Sequence, residues 1–542
     1  FPGGQTAPRV AAGFARLLAL PTVKSSWRRA GLPAFAVLLL AAAGASPRAI
    51  PYNMDEFVHY HALGCAEAPL AREVPLVRDG CGWHDLALPL TRTLLPLRSY
   101  AYIGSLPSLP FYPFWRLLRD PVAVRIQGAV FFLLWAWLAV RLLRVRPSAL
   151  LLASVVFPVF LASFVVDEGP VGLSAILLFS ALLAARRALD AGTSPRAVAW
   201  AVLAGVVLFL GLWVKLVFGW WLPAFALFAA AEASRRAASL AGAVRRWRGA
   251  VVAGLLAVVL PTLVLLASVD REGRSYAAAF RWSGVSAEPD AVETVAVRLW
   301  GYVVDGSLVA PRNIVFPHSP LDLLPALATL GFLAVGLSRG ASRRREVAGW
   351  AALAALTYGL VAVSGHSRWP HHFAFPLVFL VMALALALDA AGRRGRLAAA
   401  ALVVAFWASL AWRLPTATIP SESARGKDEL LAFVRAEGLD RTTLQVHSSW
   451  GTYYIAQLFG DPARMLVYLR AAPDDRAQLE RLRDVARAHG RPVLLISSRR
   501  WERLQTPAVE EALGRPERSW QFGSWRALEY DSSLSPAPSP RP

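Results

Sequence analysis

Apolar stretches dominate the chain and are broken by short polar or arginine-rich intervals. Runs of roughly 17 to 25 apolar residues are long enough to cross a bilayer as helices. Such runs lie near 30–46, 126–142, 148–166, 171–185, 197–214, 216–233, 249–268, 321–337, 347–364, 372–390 and 397–413. The pattern therefore predicts about eleven transmembrane helices. One interval is ambiguous, because Lys215 interrupts an apolar run that reads either as one over-long helix or as two helices joined by a tight turn.

Charge resolves that ambiguity. With two helices, Lys24, Arg28 and Arg29 fall on the same side as the clusters at Arg141–Arg146, Arg186–Arg196, Arg235–Arg248, Arg339–Arg345 and Arg393–Arg396. One helix would split these clusters between the two faces, against the positive-inside rule. The expected topology places the amino terminus inside, and puts 47–125, 269–320, 365–371 and everything after about 414 outside.

After Pro415 the period changes. Short β-like runs (TLQVHSS, RMLVYL, PVLLISS, RALEY) alternate with polar helical stretches such as DELLAFVRAEG and DRAQLERLRDVARAHG. That alternation predicts a soluble α/β domain with a partly parallel sheet. The expected organisation is a cytoplasmic leader at 1–29, a transmembrane domain at 30–414, an external α/β domain at 415–535 and a disordered tail at 536–542. The first span, with AAAGAS at its end, reads either as an uncleaved anchor or as a signal peptide. Later helices keep their orientation in both cases.

Composition sharpens this picture. The mean hydropathy is +0.45, and 56% of the residues are hydrophobic against 17% charged, which marks a polytopic membrane protein. The formal charge of +21 sits in interhelical arginine clusters, so it points to cytoplasmic loops and not to nucleic acid. Cys65 and Cys81 share one polar loop, where a disulfide and two free thiols both fit.

Candidate chemistry lies on the outer side. MDEFVHYH carries Asp55 and Glu56 just beyond the first span, and VVDEGPVG carries Asp167 and Glu168 in a short outer loop. A lone carboxylate there reads as a helix cap. Two pairs at one depth read as a shared site, in which one acid acts as a general base and Asp55 with Asp167 holds a divalent cation such as Mg, Mn or Zn. His59 and His61 offer either metal ligands or packing residues. Lys215 reads as a snorkelling lysine or as an ammonium that grips a lipid phosphate. SGHSRWPHHFAFP gathers His366, Arg368, His371 and His372 around Trp369 and Phe373, a set suited to phosphate and headgroup contact.

Taken in order, these stretches resemble the GT-C superfamily of membrane glycosyltransferases, in the branch of protein O-mannosyltransferases and lipid A aminoarabinose transferases. MDEFVHYH matches the family's first acidic motif, YIGSLP from Tyr102 to Pro107 its juxtamembrane stretch, DEGPVGL its second acidic motif and WVKLVFGWWLP its lysine stretch. RWPHHFAFP departs from the family's arginine–tyrosine pattern by placing Trp369 after Arg368. The resemblance spans roughly residues 30 to 415. It implies a polytopic α-helical GT-C fold and inverting transfer of a sugar from a polyprenyl-phosphate donor to a lipid, glycan or protein acceptor at the outer face. Asp55 would be the base, with Asp167 and Glu56 as further catalytic acids. Lys215, Arg368, Tyr102 and the three histidines would bind substrate. The implied location is a bacterial inner membrane. A transporter or flippase that uses the acids as an ion relay is the rival reading, although such proteins place ionisable groups near the bilayer midplane. A scaffold whose working part is the α/β domain is a third.

Overall fold

The computed structural model describes residues 27–48, 52, 56–68, 74, 85–88, 93–96, 98–100, 103–166, 170–237, 239–268, 295–297, 317, 319–365, 370–417, 422–468, 476–498 and 507–531. The chain divides into two compact units, 1–42 and 43–542. Helix α1 (Trp27–Ala45), with Pro33 in its interior, begins in the first unit and ends in the second.

Every apolar segment of the sequence coincides with helix. In the polar loop after α1, helix α2 (His61–Glu67) and α3 (Ser108–Leu118) flank two small antiparallel pairs. These are β1 (Asp85–Leu88) with β2 (Thr93–Pro96), and β3 (Arg98–Tyr100) with β4 (Ile103–Gly104). The bundle follows as α4 (Val122–Leu143), α5 (Pro147–Val156), α6 (Pro158–Val165), α7 (Val171–Asp190), α8 (Pro195–Val214), α9 (Leu222–Ala237) and α10 (Leu240–Ala267). It ends with α11 (Leu324–Ser338), α12 (Ala341–Val363), α13 (Ala374–Ala390) and α14 (Gly392–Arg413). Among the described residues, eight helices are long and apolar enough to cross a membrane, the bent pair α5–α6 makes a ninth when counted as one broken span and not as a re-entrant loop, and two shorter apolar helices cover Pro33–Ala45 and Ala374–Ala390.

The bend is the clearest difference from the sequence pattern, which reads 148–166 as one span. α5 and α6 meet at 96°. Pro158 opens α6 and Phe157 before it is extended, at φ −109° and ψ 99°. Proline lacks the N–H that would bond back into α5 and pushes the preceding residue out of the helical region.

Two helices show how the bundle meets its surroundings. α13 is buried along nearly its whole length and packs on α5, α11 and α12, as expected of a helix apolar on all sides at a core. α10 instead leaves Val252, Leu255, Leu260, Leu263 and Val264 more than half exposed. So much open aliphatic surface is compatible with lipid and not with water, and the chain is an integral membrane protein.

The C-terminal region contains α15 (Glu422–Ala436), α16 (Leu439–Thr442), β5 (Leu444–His447), α17 (Trp450–Phe459), β6 (Met465–Tyr468), α18 (Arg476–Ala488), β7 (Val493–Ser498), α19 (Pro507–Leu513), β8 (Arg518–Phe522) and β9 (Trp525–Tyr530). The strands form one sheet in the order β6-β5-β7-β9-β8, with β5 parallel to both neighbours and β9 antiparallel to both of its own. This sheet borrows part of its core from the first loop: Cys65, Ala68 and Val74 pack with Leu444, Val467 and Leu495.

Candidate active site

The loop after α1 is anchored to the bundle by a buried ion pair. Glu56 accepts from Arg125 Nε and Nη2, both at 3.0 Å, and neither side chain retains exposed surface. Arg125 Nη1 also donates to Ser46 Oγ at 3.1 Å. Its guanidinium lies 4.6 Å from the centre of the Tyr52 ring. Isolated charges in such a place would cost several kcal/mol each, so the bidentate geometry and the third bond are what make the burial tolerable. Glu56, grouped with the catalytic acids by the sequence, is thus engaged in tying the residue beside Asp55 to the first turn of α4.

A second set of contacts joins the loop to the lysine turn. The carbonyl of His59 accepts from Ser99 Oγ at 3.4 Å, and Ser99 belongs to β3, which pairs with β4. β4 in turn bridges the α8–α9 turn, where Ile103 pairs antiparallel with Lys215. Lys215 is extended, at φ −159° and ψ 125°, and is only 3% exposed. The approach is so close that a Cβ on Gly104 would stand 1.8 Å from the Trp213 carbonyl oxygen. Glycine is required there because no side chain fits between the two backbones. This contact independently supports the two-helix reading of 197–233, since the turn at Lys215 meets the loop that follows α1.

From the same turn the contacts continue to the histidine-rich stretch. Trp220 meets the buried His372 edge-on, with ring centres 5.1 Å apart. Trp221 Nε1 donates to the carbonyl of Phe375 at 3.0 Å. The stretch preceding Asp167 docks nearby, because α6 passes α4 so closely that a Cβ on Gly128 would lie 2.0 Å from the Phe164 carbonyl oxygen. Gly128 is three residues, about 4.5 Å of helix rise, from Arg125. Parts of all four sequence stretches therefore gather at one end of the bundle.

The C-terminal sheet region closes over this end. Lys427 Nζ donates to the Tyr52 carbonyl at 2.7 Å, and the Asp428 carboxylate accepts from the Tyr52 N–H. Burial pushes the Lys427 ammonium down and the Asp428 carboxyl up from their ordinary ranges, with their mutual attraction working against both shifts. Burial likewise raises the Tyr52 phenol. Farther along, Trp115 Nε1 donates to the Leu458 carbonyl at 2.7 Å and Arg464 Nη2 to the Gly64 carbonyl at 2.9 Å. Cys65 is disulfide-bonded; Cys81 lies outside the described residues.

Several expected site residues, Asp55, Tyr102, Asp167, His366 and Arg368, lie outside the described residues, and of His371 only the backbone is described. His59 and His61 are buried; His61 Nδ1 donates to the Val58 carbonyl at 3.0 Å and its ring packs 5.1 Å from Tyr454. Among the described residues no group of three or more His, Cys, Asp or Glu side chains could hold a metal ion; Asp55 and Asp167, the expected cation ligands, are not among them. The sequence reading missed Tyr52, Arg125, Lys427 and Asp428. An arginine at the edge of an apolar run was a usable signal for Arg125. Nothing local marks Lys427, whose role depends on a partner 375 residues away.

No family model and no curated protein matches the chain. Among solved structures it is similar to ArnT from Cupriavidus metallidurans, determined bound to undecaprenyl phosphate. The identity is 13%, the TM-score 0.52, and the likeness covers 95% of this chain and 100% of that one. At this identity the likeness concerns architecture alone: the chain shares the fold of that ArnT structure.

Proposed function

We propose that this protein transfers a sugar from a polyprenyl-phosphate-linked donor to a lipid, glycan or protein acceptor at the outer face of a bacterial inner membrane. The observation that carries the reading is the docking of β4 on Lys215, because it joins the juxtamembrane stretch to the one lysine in the middle of an apolar helical pair. The likeness to a structure that holds undecaprenyl phosphate supports the same donor class.

In this reading Asp55 takes the proton from the acceptor hydroxyl or amine as that atom attacks the anomeric carbon. The bond from that carbon to the phosphate oxygen breaks in the same displacement, so the configuration inverts. Its electron pair leaves on the polyprenyl phosphate, whose growing charge is met by Lys215 and Arg368. Asp167 orients the acceptor. Glu56 and Arg125 hold the base-bearing loop against α4, and the C-terminal sheet region covers it. The test is mass-resolved transfer by the purified protein from a panel of polyprenyl-phosphate sugars. Transfer from at least one member with release of polyprenyl phosphate is expected. Movement of the intact lipid across the membrane without transfer would favour the flippase reading instead.

A further inference from the structure

The opposite end of the bundle holds a cavity of about 780 Å³ between α4, α7, α9, α12 and α13. Its mouth is strongly basic. Glu232, 6% exposed, accepts from three arginines at once: Arg186 at 3.1 Å, Arg235 at 2.5 Å and Arg236 at 2.6 Å. Arg236 also reaches Asp190 at 2.7 Å. Arg144 and Arg345 add two further guanidinium groups to the wall, and among the described residues neither side chain has a hydrogen-bond or ion-pair partner. The other acid in the wall, Glu346, is engaged by Arg343 at 3.1 Å. The carboxylates are thus already shared, and the mouth keeps a surplus of positive charge.

Below the mouth the wall becomes apolar. Leu227, Ala231 and Arg235 line the cavity at successive turns of α9, which sets a leucine roughly 12 Å beneath an arginine. Trp350 and Phe228 form the floor with ring centres 5.7 Å apart. Guanidinium groups above an aliphatic and aromatic shaft suit a phosphate attached to a hydrocarbon chain, and the volume lies in the range of ligand sites. Basic pockets between helices are used in this way for anionic headgroups.

We propose that this cavity binds the phosphate headgroup of an anionic membrane lipid, with the start of its chain against Leu227 and Trp350. The site is distinct from the one proposed for transfer. Arg125 and Arg144 mark the two ends of α4, about 28 Å apart.

Detergent-purified full-length protein is titrated with dioleoylphosphatidylglycerol, dioleoylphosphatidylcholine or inorganic phosphate and followed by native mass spectrometry and thermal unfolding. The same is done for the double variant Arg144→Gln, Arg345→Gln. Phosphatidylglycerol is expected to bind and stabilise the unmodified protein, with affinity at least tenfold lower in the variant, whose unliganded midpoint and sugar transfer in neutral detergent stay unchanged. Equal phosphatidylglycerol binding by both proteins, or equal binding of phosphatidylcholine and phosphatidylglycerol, overturns the proposal. Stabilisation by inorganic phosphate without any by the lipid overturns the lipid assignment. Binding is read without turnover, so its failure is separate from failure of the transferase reading.

Discussion

Lys427 donates to the main-chain carbonyl of Tyr52 across 2.7 Å, three residues before Asp55 and 375 residues away in sequence. With Asp428 on the Tyr52 N–H, both backbone groups of one loop residue are held by α15. This clamp makes the C-terminal region part of whatever the loop does.

Removing the clamp is expected to impair turnover. Lys427→Met keeps the length of the side chain but leaves the Tyr52 carbonyl without its charged donor, a loss of about 1.5 to 3 kcal/mol for a hydrogen bond to a charged group. Steady-state kinetics with saturating donor should show a reduced kcat with donor affinity near normal. A variant equal to the parent in both would mean that the loop does not depend on α15.

Glu56 and Arg125 should behave as a unit. Glu56→Gln leaves a guanidinium buried without its counter-charge, and breaking such a pair typically costs about 3 to 5 kcal/mol. Lower accumulation and an earlier thermal midpoint are expected. The double substitution Glu56→Met, Arg125→Met should recover much of the stability, and a thermal double-mutant cycle measures the coupling.

Asp55 should differ from Glu56 in kind. Asp55→Asn preserves shape and removes the base, so turnover is expected to fall by about 10²- to 10⁴-fold while fold and donor binding persist. Transfer and binding assays on one preparation separate the two effects. Near-normal turnover would take Asp55 out of the proposed chemistry.

Gly104 tests the junction between loop and lysine turn. A methyl group there meets the Trp213 carbonyl at 1.8 Å, so Gly104→Ala must push β4 away from Lys215. Weaker donor binding is expected, with the C-terminal sheet intact by limited proteolysis. Unchanged binding would separate the phosphate contact from this junction.

His447, buried in β5 with Nε2 against Gln445 Oε1 at 3.2 Å, predicts acid sensitivity. Burial lowers its pKa from 6.5 to about 3. Between those values the unfolded chain holds a proton that the folded one does not, so stability is lost as pH falls through the window and is fully present above it. At pH 5 the loss is about 2 kcal/mol. Thermal midpoints at pH 7 and pH 5 should differ less in His447→Asn than in the parent protein.

The sequence by itself determined the membrane class, the eleven helical segments, the hairpin at Lys215 and four of the five strands in the C-terminal sheet. Each depends on local period or on charge beside a span, and both are properties of neighbouring residues. β8 escaped because it is an edge strand with most of its side chains exposed, so its residues need not alternate clearly. The bend at Pro158 was present as a residue, but whether a proline kinks a span or splits it depends on what packs around the break. Only the tertiary structure decided that Glu56 is spent on Arg125, that β4 lies on Lys215, and that Cys65, Ala68 and Val74 complete the core of a sheet beginning at Leu444. These contacts join residues tens to hundreds of positions apart. Their stability comes from excluding water around groups that no local pattern pairs, so they become visible only when the chain is folded.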